Sequence, residues 1–274
     1  MPFKTKALWV EDLDSPAIQA RVMRHATAIG ANLLCVRTTS PLLQGLIPGF
    51  HTAGMKVYGW MWASVIPNQP NHKYARDEAN HVATNLIPHG LDGYIFDVES
   101  DDGHPPTPHD WDRTDVEDLT ALANIYTHTI KNAFIQRGLP YRLGMTSHAR
   151  GFSNYPGIPW HPFLDASDTL YPQTYWRFDN GSFPHKQCVD EAADPNTGQG
   201  KGTPDQAVIN GYTDYRPKGK PIIPVAGEIG CATAAEITRY GQLITARGAT
   251  EAHFYVDVDD SYLSAGILQA MAAV

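Results

Sequence analysis

Leu91-Asp92-Gly93-Tyr94-Ile95-Phe96-Asp97-Val98-Glu99 reads as an apolar strand that ends in two carboxylates. Residues two apart on a strand share a face, so Ile95, Asp97 and Glu99 are expected to point the same way. The Cα atoms of Asp97 and Glu99 would lie roughly 6.6 Å apart. The longer glutamate can then reach past the aspartate while the two stay within hydrogen-bond range. Two carboxyls held this way can divide their roles, one keeping a proton while the other is ionised.

Outward from this segment, a strand-then-helix unit recurs along the chain. Residues 7–12 (ALWVED) read as a first strand, and Ser15-Pro16 opens a helix with serine as cap and proline at the first position. Residues 32–39 (NLLCVRTT) and 56–65 (KVYGWMWASV) give the second and third strands. Residues 74–86 have helical period, and residues 91–99 are the fourth strand. Thr114-Asp115-Val116-Glu117 has the form of a capping box, opening a helix that runs to Arg137 and stops at Gly138. Residues 142–147 and 169–176 give the fifth and sixth strands. Thr203-Pro204-Asp205-Gln206 starts another helix. Residues 221–227 are the seventh strand, Thr233 caps the helix after it, and residues 251–257 are the eighth, followed by a last helix.

Eight such units predict an α/β fold, a (β/α)8 TIM barrel spanning residues 1–274 as one domain. Residues 151–162, rich in glycine, proline and aromatics, predict a short or missing helix between the fifth and sixth strands. The long run 180–202 follows the sixth strand and is expected on the functional face.

Composition narrows the function classes. A net charge of −8 without a Lys/Arg run is a poor match for nucleic acid. No stretch has the length and polarity of a membrane span. The N-terminus lacks the apolar core of a signal peptide, so delivery to a cell wall would need another route. Cys35, Cys188 and Cys231 have no CxxC spacing and predict neither a disulfide framework nor a structural zinc site. Cys35 reads as a buried small hydrophobe. No cofactor is expected, since neither a nucleotide-binding glycine fingerprint nor a G-x-S-x-G elbow is present. The loop 101–112, with His104 and His109, could ligate a metal, but a solvated acidic loop is the better reading. The run 194–198 hints at a calcium loop without the remaining ligands. The sequence does not determine the oligomeric state.

In a barrel of this type the site lies at the carboxyl ends of the strands. Those ends carry Glu11 and Asp12, Arg37, Trp60 and Trp62, Asp97 and Glu99, His148, Gln173 and Tyr175 followed by Trp176, Glu228, and Tyr255 with Asp257 and Asp259. Carboxylates among Trp and Tyr suit a sugar, whose apolar face stacks on rings while acids and amides bind its hydroxyls. Trp60 and Trp62 fit this role or ordinary packing in the upper barrel layer. Gln173 and Tyr175 fit a site or a structural hydrogen-bond pair. Asp257 fits substrate binding or a solvated strand end.

Asp92-Gly93-x-x-x-Asp97-x-Glu99 resembles the D-G-x-D-x-D-x-E signature of family 18 glycoside hydrolases, the chitinase family, with Ile95 in place of the middle aspartate. Gln173-Thr174-Tyr175 resembles the Q-x-Y of the plant-type chitinase/lysozymes of that family. The resemblance implies Glu99 as general acid, Asp97 as the group that orients an N-acetyl substituent, and Tyr175 as its hydrogen-bond partner. The substrate's own acetamido oxygen would be the nucleophile. The D-V-E tripeptide with an acid on the first strand is also similar to family 25 lysozymes, which cleave peptidoglycan. The expected partner is therefore a polysaccharide, peptidoglycan or a chitin-like chain. The alternative is a barrel that binds carbohydrate without cleaving it, which Ile95 favours.

Overall fold

The structure, a computed structural model, describes residues 2–69, 73–100, 107–179, 188–189 and 202–274. Eight parallel strands close into a barrel: β1 (Thr5–Val10), β2 (Leu33–Arg37), β3 (Lys56–Trp62), β4 (Gly93–Asp97), β5 (Arg142–His148), β6 (Thr169–Gln173), β9 (Val225–Gly227) and β10 (Glu251–Tyr255). Between β6 and β9 a short antiparallel pair forms, β7 (Phe178–Asp179) with β8 (Cys188–Val189). The (β/α)8 expectation is met, with most strands shorter than the apolar runs suggest, though β1 starts earlier and β5 runs one residue longer.

Helices α1 (Pro16–Ile29), α2 (Leu43–Thr52), α3 (Ala75–His81), α4 (Leu119–Arg137), α7 (Pro204–Tyr215), α8 (Ala234–Ala246) and α9 (Ala265–Ala273) lie in the connections. The expected caps form at three starts. Ser15 accepts from the Ile18 amide, Thr203 accepts from Gln206, and Thr233 with Glu236 makes a reciprocal capping box. The expected box at 114–117 does not form. Arg113 grips Asp115 at 2.7 Å instead, and α4 begins at Leu119 with Asp118, at φ 52°, accepting from the Ala121 amide. The segment 151–162 carries two short helices, α5 (Gly151–Asn154) and the start of α6 (Trp160–Ala166).

Two apolar layers follow from strand alternation. Leu8, Val10, Leu34, Val36, Met61, Tyr94 and Phe96 face the helices. Trp9, Cys35, Tyr58, Trp60, Ile95, Tyr171 and Tyr175 face inward and fill the barrel. Glycines make room for the largest inward rings. A Cβ on Gly144 would overlap the Tyr171 ring, and one on Gly227 would overlap Tyr175.

A polar chain crosses the interior floor. Arg142 pairs with Glu251, His253 Nε2 lies 3.0 Å from Glu251 Oε2, and the Trp9 indole N–H donates to His253 Nδ1 at 3.2 Å. Nδ1 must therefore be the acceptor, which leaves the ring proton on Nε2 to meet the carboxylate.

Two expectations need correction. Cys35 is free and buried as expected, but Cys231 is disulfide-bonded. His109, Asp110 and Trp111 are buried, so this part of the 101–112 loop is packed down rather than solvated. Its remainder, with His104, and the 194–198 run lie outside the described residues. Among the described residues no cluster of His, Cys, Asp or Glu is placed to hold a metal, and no helix is long and apolar enough to cross a membrane.

Outside the barrel, His25 of α1 sits between Asp257 at 2.7 Å and Asp260 at 2.8 Å. Burial alone would lower its pKa, but the two carboxylates outweigh burial and raise it. A histidine pKa raised by folding stabilises below the unfolded value, near 6.5, and that stability is lost as pH rises through the folded value. His25→Gln should therefore flatten the fall in Tm on going from slightly acid to slightly alkaline pH. A wild-type-like slope in thermal melts across that window would exclude the linkage.

Candidate active site

At the carboxyl end of the barrel, a cavity of about 280 Å³ is lined by Trp9, Glu11, Arg37, Trp60, Met61, Trp62, Asp97, Glu99, Gln173, Tyr175, Glu228 and Tyr255. Larger depressions on the helical surface lack this chemistry; the one between α8 and α9, for example, is lined by no charged side chain.

The paired carboxylates form its base. Strand β4 turns Ile95 and Asp97 inward, and the Val98 amide bonds to the Thr146 carbonyl at 3.0 Å, so the chain keeps its direction past the strand end. The Glu99 carbonyl accepts from the Trp111 amide at 2.9 Å, which fixes the backbone that carries the second carboxylate. Gln173, from β6, one strand beyond β5, donates its amide to Asp97 Oδ1 at 3.2 Å and also to Glu99 Oε1. His148 Nε2 donates to the Ser100 carbonyl at 2.7 Å and stands 3.7 Å from Glu99 Oε2.

Electrostatics divide the pair. Asp97 is buried, and burial first, then the Glu99 charge, their mutual hydrogen bond and Glu11, hold its pKa well above the usual carboxylate range. Two like charges this close disfavour joint ionisation, and the rise falls on Asp97, the buried member of the pair. The strand pattern could not show that Asp97 sits deeper.

The walls are aromatic. Tyr175 and Tyr255 stack with ring centroids 5.1 Å apart, Trp9 and Trp60 lie 5.7 Å apart, and Tyr255 meets both indoles edge-on at 6.2 Å. Tyr255 donates to Glu11 Oε1 at 2.5 Å. The Trp60 indole donates to the carbonyls of Val10 and Cys35, so this ring packs the upper layer and lines the cavity at once. The His109 ring packs against Trp62.

Ten of the fifteen residues expected at the strand ends line this cavity; Asp12, His148, Trp176, Asp257 and Asp259 do not. Asp12 pairs with Arg37 at 2.7 Å. Trp176 is buried on the outer face against Tyr240 of α8, because β6 ends at Gln173 and strand phase no longer governs it. Asp257 lies beyond the end of β10 and binds Arg21 and His25 of α1. Trp9 is a lining residue missing from the expected set; it lies in phase with Ala7 on β1, a signal that inward period alone could have supplied.

No protein-family model and no curated sequence matches the chain. Solved structures share the fold. A glycoside hydrolase family 18 N-acetylglucosaminidase from Paenibacillus barengoltzii aligns with TM-score 0.61 at 12% identity, over 98% of this chain and 99% of that one. The catalytic domain of β-amylase from Paenibacillus polymyxa aligns with TM-score 0.59 at 8% identity, over 100% and 99%. The Bacillus cereus spore cortex-lytic enzyme SleL aligns with TM-score 0.58 at 9% identity, over 97% and 73%. At these identities the likeness is one of fold.

A carboxyl pKa raised by folding contributes stability that is complete below the unfolded value, near 3.9, and is lost as pH rises through the folded value. At neutral pH the buried Asp97 is then a liability that an amide would lack. Asp97→Asn should raise Tm near neutral pH by roughly 2–4 °C and lose that advantage in acid. Melting curves of both proteins against pH test this, and a lower Tm for the variant at neutral pH would contradict it.

Proposed function

We propose that the protein is a glycoside hydrolase acting on an N-acetylhexosamine polysaccharide, peptidoglycan or a chitin-like chain. One observation carries the reading: two carboxylates that share a glutamine amide, one of them buried with a raised pKa, stand at the base of an aromatic cavity. The fold is compatible with this chemistry and with many others, so the argument rests on the site.

In this mechanism a proton passes along the hydrogen bond from Asp97 to Glu99 when a sugar enters. Glu99 delivers it to the glycosidic oxygen as the bond to the anomeric carbon breaks. Asp97, now anionic, receives the acetamido N–H and turns the acetamido oxygen toward the anomeric carbon, which it attacks. The Tyr175 hydroxyl donates to that oxygen. Water then attacks the anomeric carbon as Glu99 takes its proton, and the bond to the acetamido oxygen breaks to restore the acetamido group. Trp60, Trp62 and Trp9 supply stacking surface, and Arg37, Gln173 and Glu228 supply polar contacts at the cavity wall.

The second reading is a barrel that binds sugar without cleaving it. Ile95 favours it: the side chain is fully buried beneath Asp97, where the chitinase signature has a carboxyl. Nothing at that position can exchange a proton with Asp97. Mass spectrometry of products from purified peptidoglycan and from chitin oligomers separates the two readings, because only hydrolysis yields fragments.

Glu99→Gln should cost roughly 10²–10⁴-fold in turnover while leaving the melting curve cooperative. Near wild-type turnover would remove Glu99 from the acid role. Tyr175→Phe deletes one hydrogen bond that tightens in the transition state, and should lower kcat by on the order of 10–10³-fold with little change in KM. If Glu11→Gln proves the more damaging of the two on the same substrate, a carboxylate nucleophile on the first strand replaces the acetamido oxygen.

A further inference from the structure

The cavity is charged in one direction. Among the described residues its lining holds four carboxylates, Glu11, Asp97, Glu99 and Glu228, against one cation, Arg37. That cation is already engaged: Nη2 holds Asp12 at 2.7 Å and Nε donates to the Glu11 carbonyl at 3.1 Å. The Glu11 carboxylate therefore has no ion-pair partner among the described residues, and it lies beside a wall of rings.

Two features show that the excess charge faces a place where a ligand group would lie. The Tyr175 ring is more than nine-tenths buried, and its hydroxyl, at the cavity wall, has no hydrogen-bond partner among the described residues. Burial and all four carboxylates act together to raise its pKa, so the acids converge on this one hydroxyl from several sides. Glu11, in turn, is set in place by the Tyr255 hydroxyl, and Tyr255 stacks on Tyr175 and lies edge-on to Trp9 and Trp60. A fixed carboxylate among four aromatic rings recognises an ammonium group, by a charge-assisted hydrogen bond and by cation–π attraction. It repels a sugar that carries a carboxylate.

We propose that the site selects a polymer containing free amino sugars: Glu11, positioned by Tyr255, is the counter-ion for the ammonium of a glucosamine-type unit next to the N-acetylated unit being cleaved. The inference rests on the hydrolase reading for its scissile unit, but the charge selection itself is a property of binding. Glu11 becomes the specificity-determining residue and Tyr255 its positioning residue.

Three tetramers test it: fully N-acetylated, mixed acetylated and free-amine, and fully free-amine glucosamine oligomers, at a pH where the amine is protonated. The mixed tetramer should have a KM on the order of 10–100-fold below that of the fully acetylated one, and the gap should shrink with added salt. Glu11→Gln should bring the ratio of kcat/KM for the two substrates toward one, whatever happens to each rate. Tyr255→Phe, which frees the carboxylate without removing it, should lower the same ratio by less. Cleavage of both tetramers with equal KM overturns the charge selection and leaves the hydrolase reading standing. If no tetramer is cleaved, the hydrolase reading falls and calorimetric binding to the wild-type protein decides the rest. Tighter binding of the amine-bearing oligomers supports the selection, and equal or weaker binding ends it.

Discussion

Closing eight parallel strands leaves an interior just wide enough for the side chains that fill it, and the site depends on how that filling is done. The inward residues cannot all be apolar, because Arg142, Glu251 and His253 lie among them. Their chain of contacts ends on the Trp9 indole and makes a floor. Above that floor Trp9, Trp60 and Ile95 form a dry layer, and above this layer stand Asp97, Glu99 and Gln173. Paired polar groups below and close packing between fix the height at which the carboxylates meet solvent.

The same barrel holds two buried acids in opposite states, and their neighbours explain the difference. Burial would raise the pKa of Glu251, but hydrogen bonds and charge from His253 and Arg142 hold it down to about 2. Asp97 has Glu99 and Glu11 near it instead, and its pKa goes up. One acid is therefore a fixed anion in a structural network, and the other is a proton store at the edge of a cavity. Acid–base work requires the second kind. A fold shared with an N-acetylglucosaminidase and a β-amylase leaves that distinction to the individual site.

The aromatic wall joins the carboxylates to the rest of the cavity. Tyr255 connects Glu11 with Tyr175, and Gln173 connects Asp97 with Glu99, so acids from β1, β4 and the segment after β9 act on one small volume. In so confined a space the balance of charge acts on any group that enters.

The sequence by itself determined the architecture, the count of barrel strands, most helix caps and the central pair of acids. Each of these is a local matter: strand period two, a cap's own hydrogen bond, or apolar runs between turn residues. Gln173 and Tyr175 could be placed on the same face as each other for the same reason. Only the tertiary structure decided that Asp97 is the acid whose pKa is raised, because that depends on depth of burial and on charges from other strands. It also turned Asp257 and Trp176 away from the cavity, since phase ends where a strand ends and the next contact is made with a helix far off in the chain. The floor of Arg142, Glu251, His253 and Trp9 was likewise invisible beforehand: its members come from three strands, and only closure of the barrel brings them together.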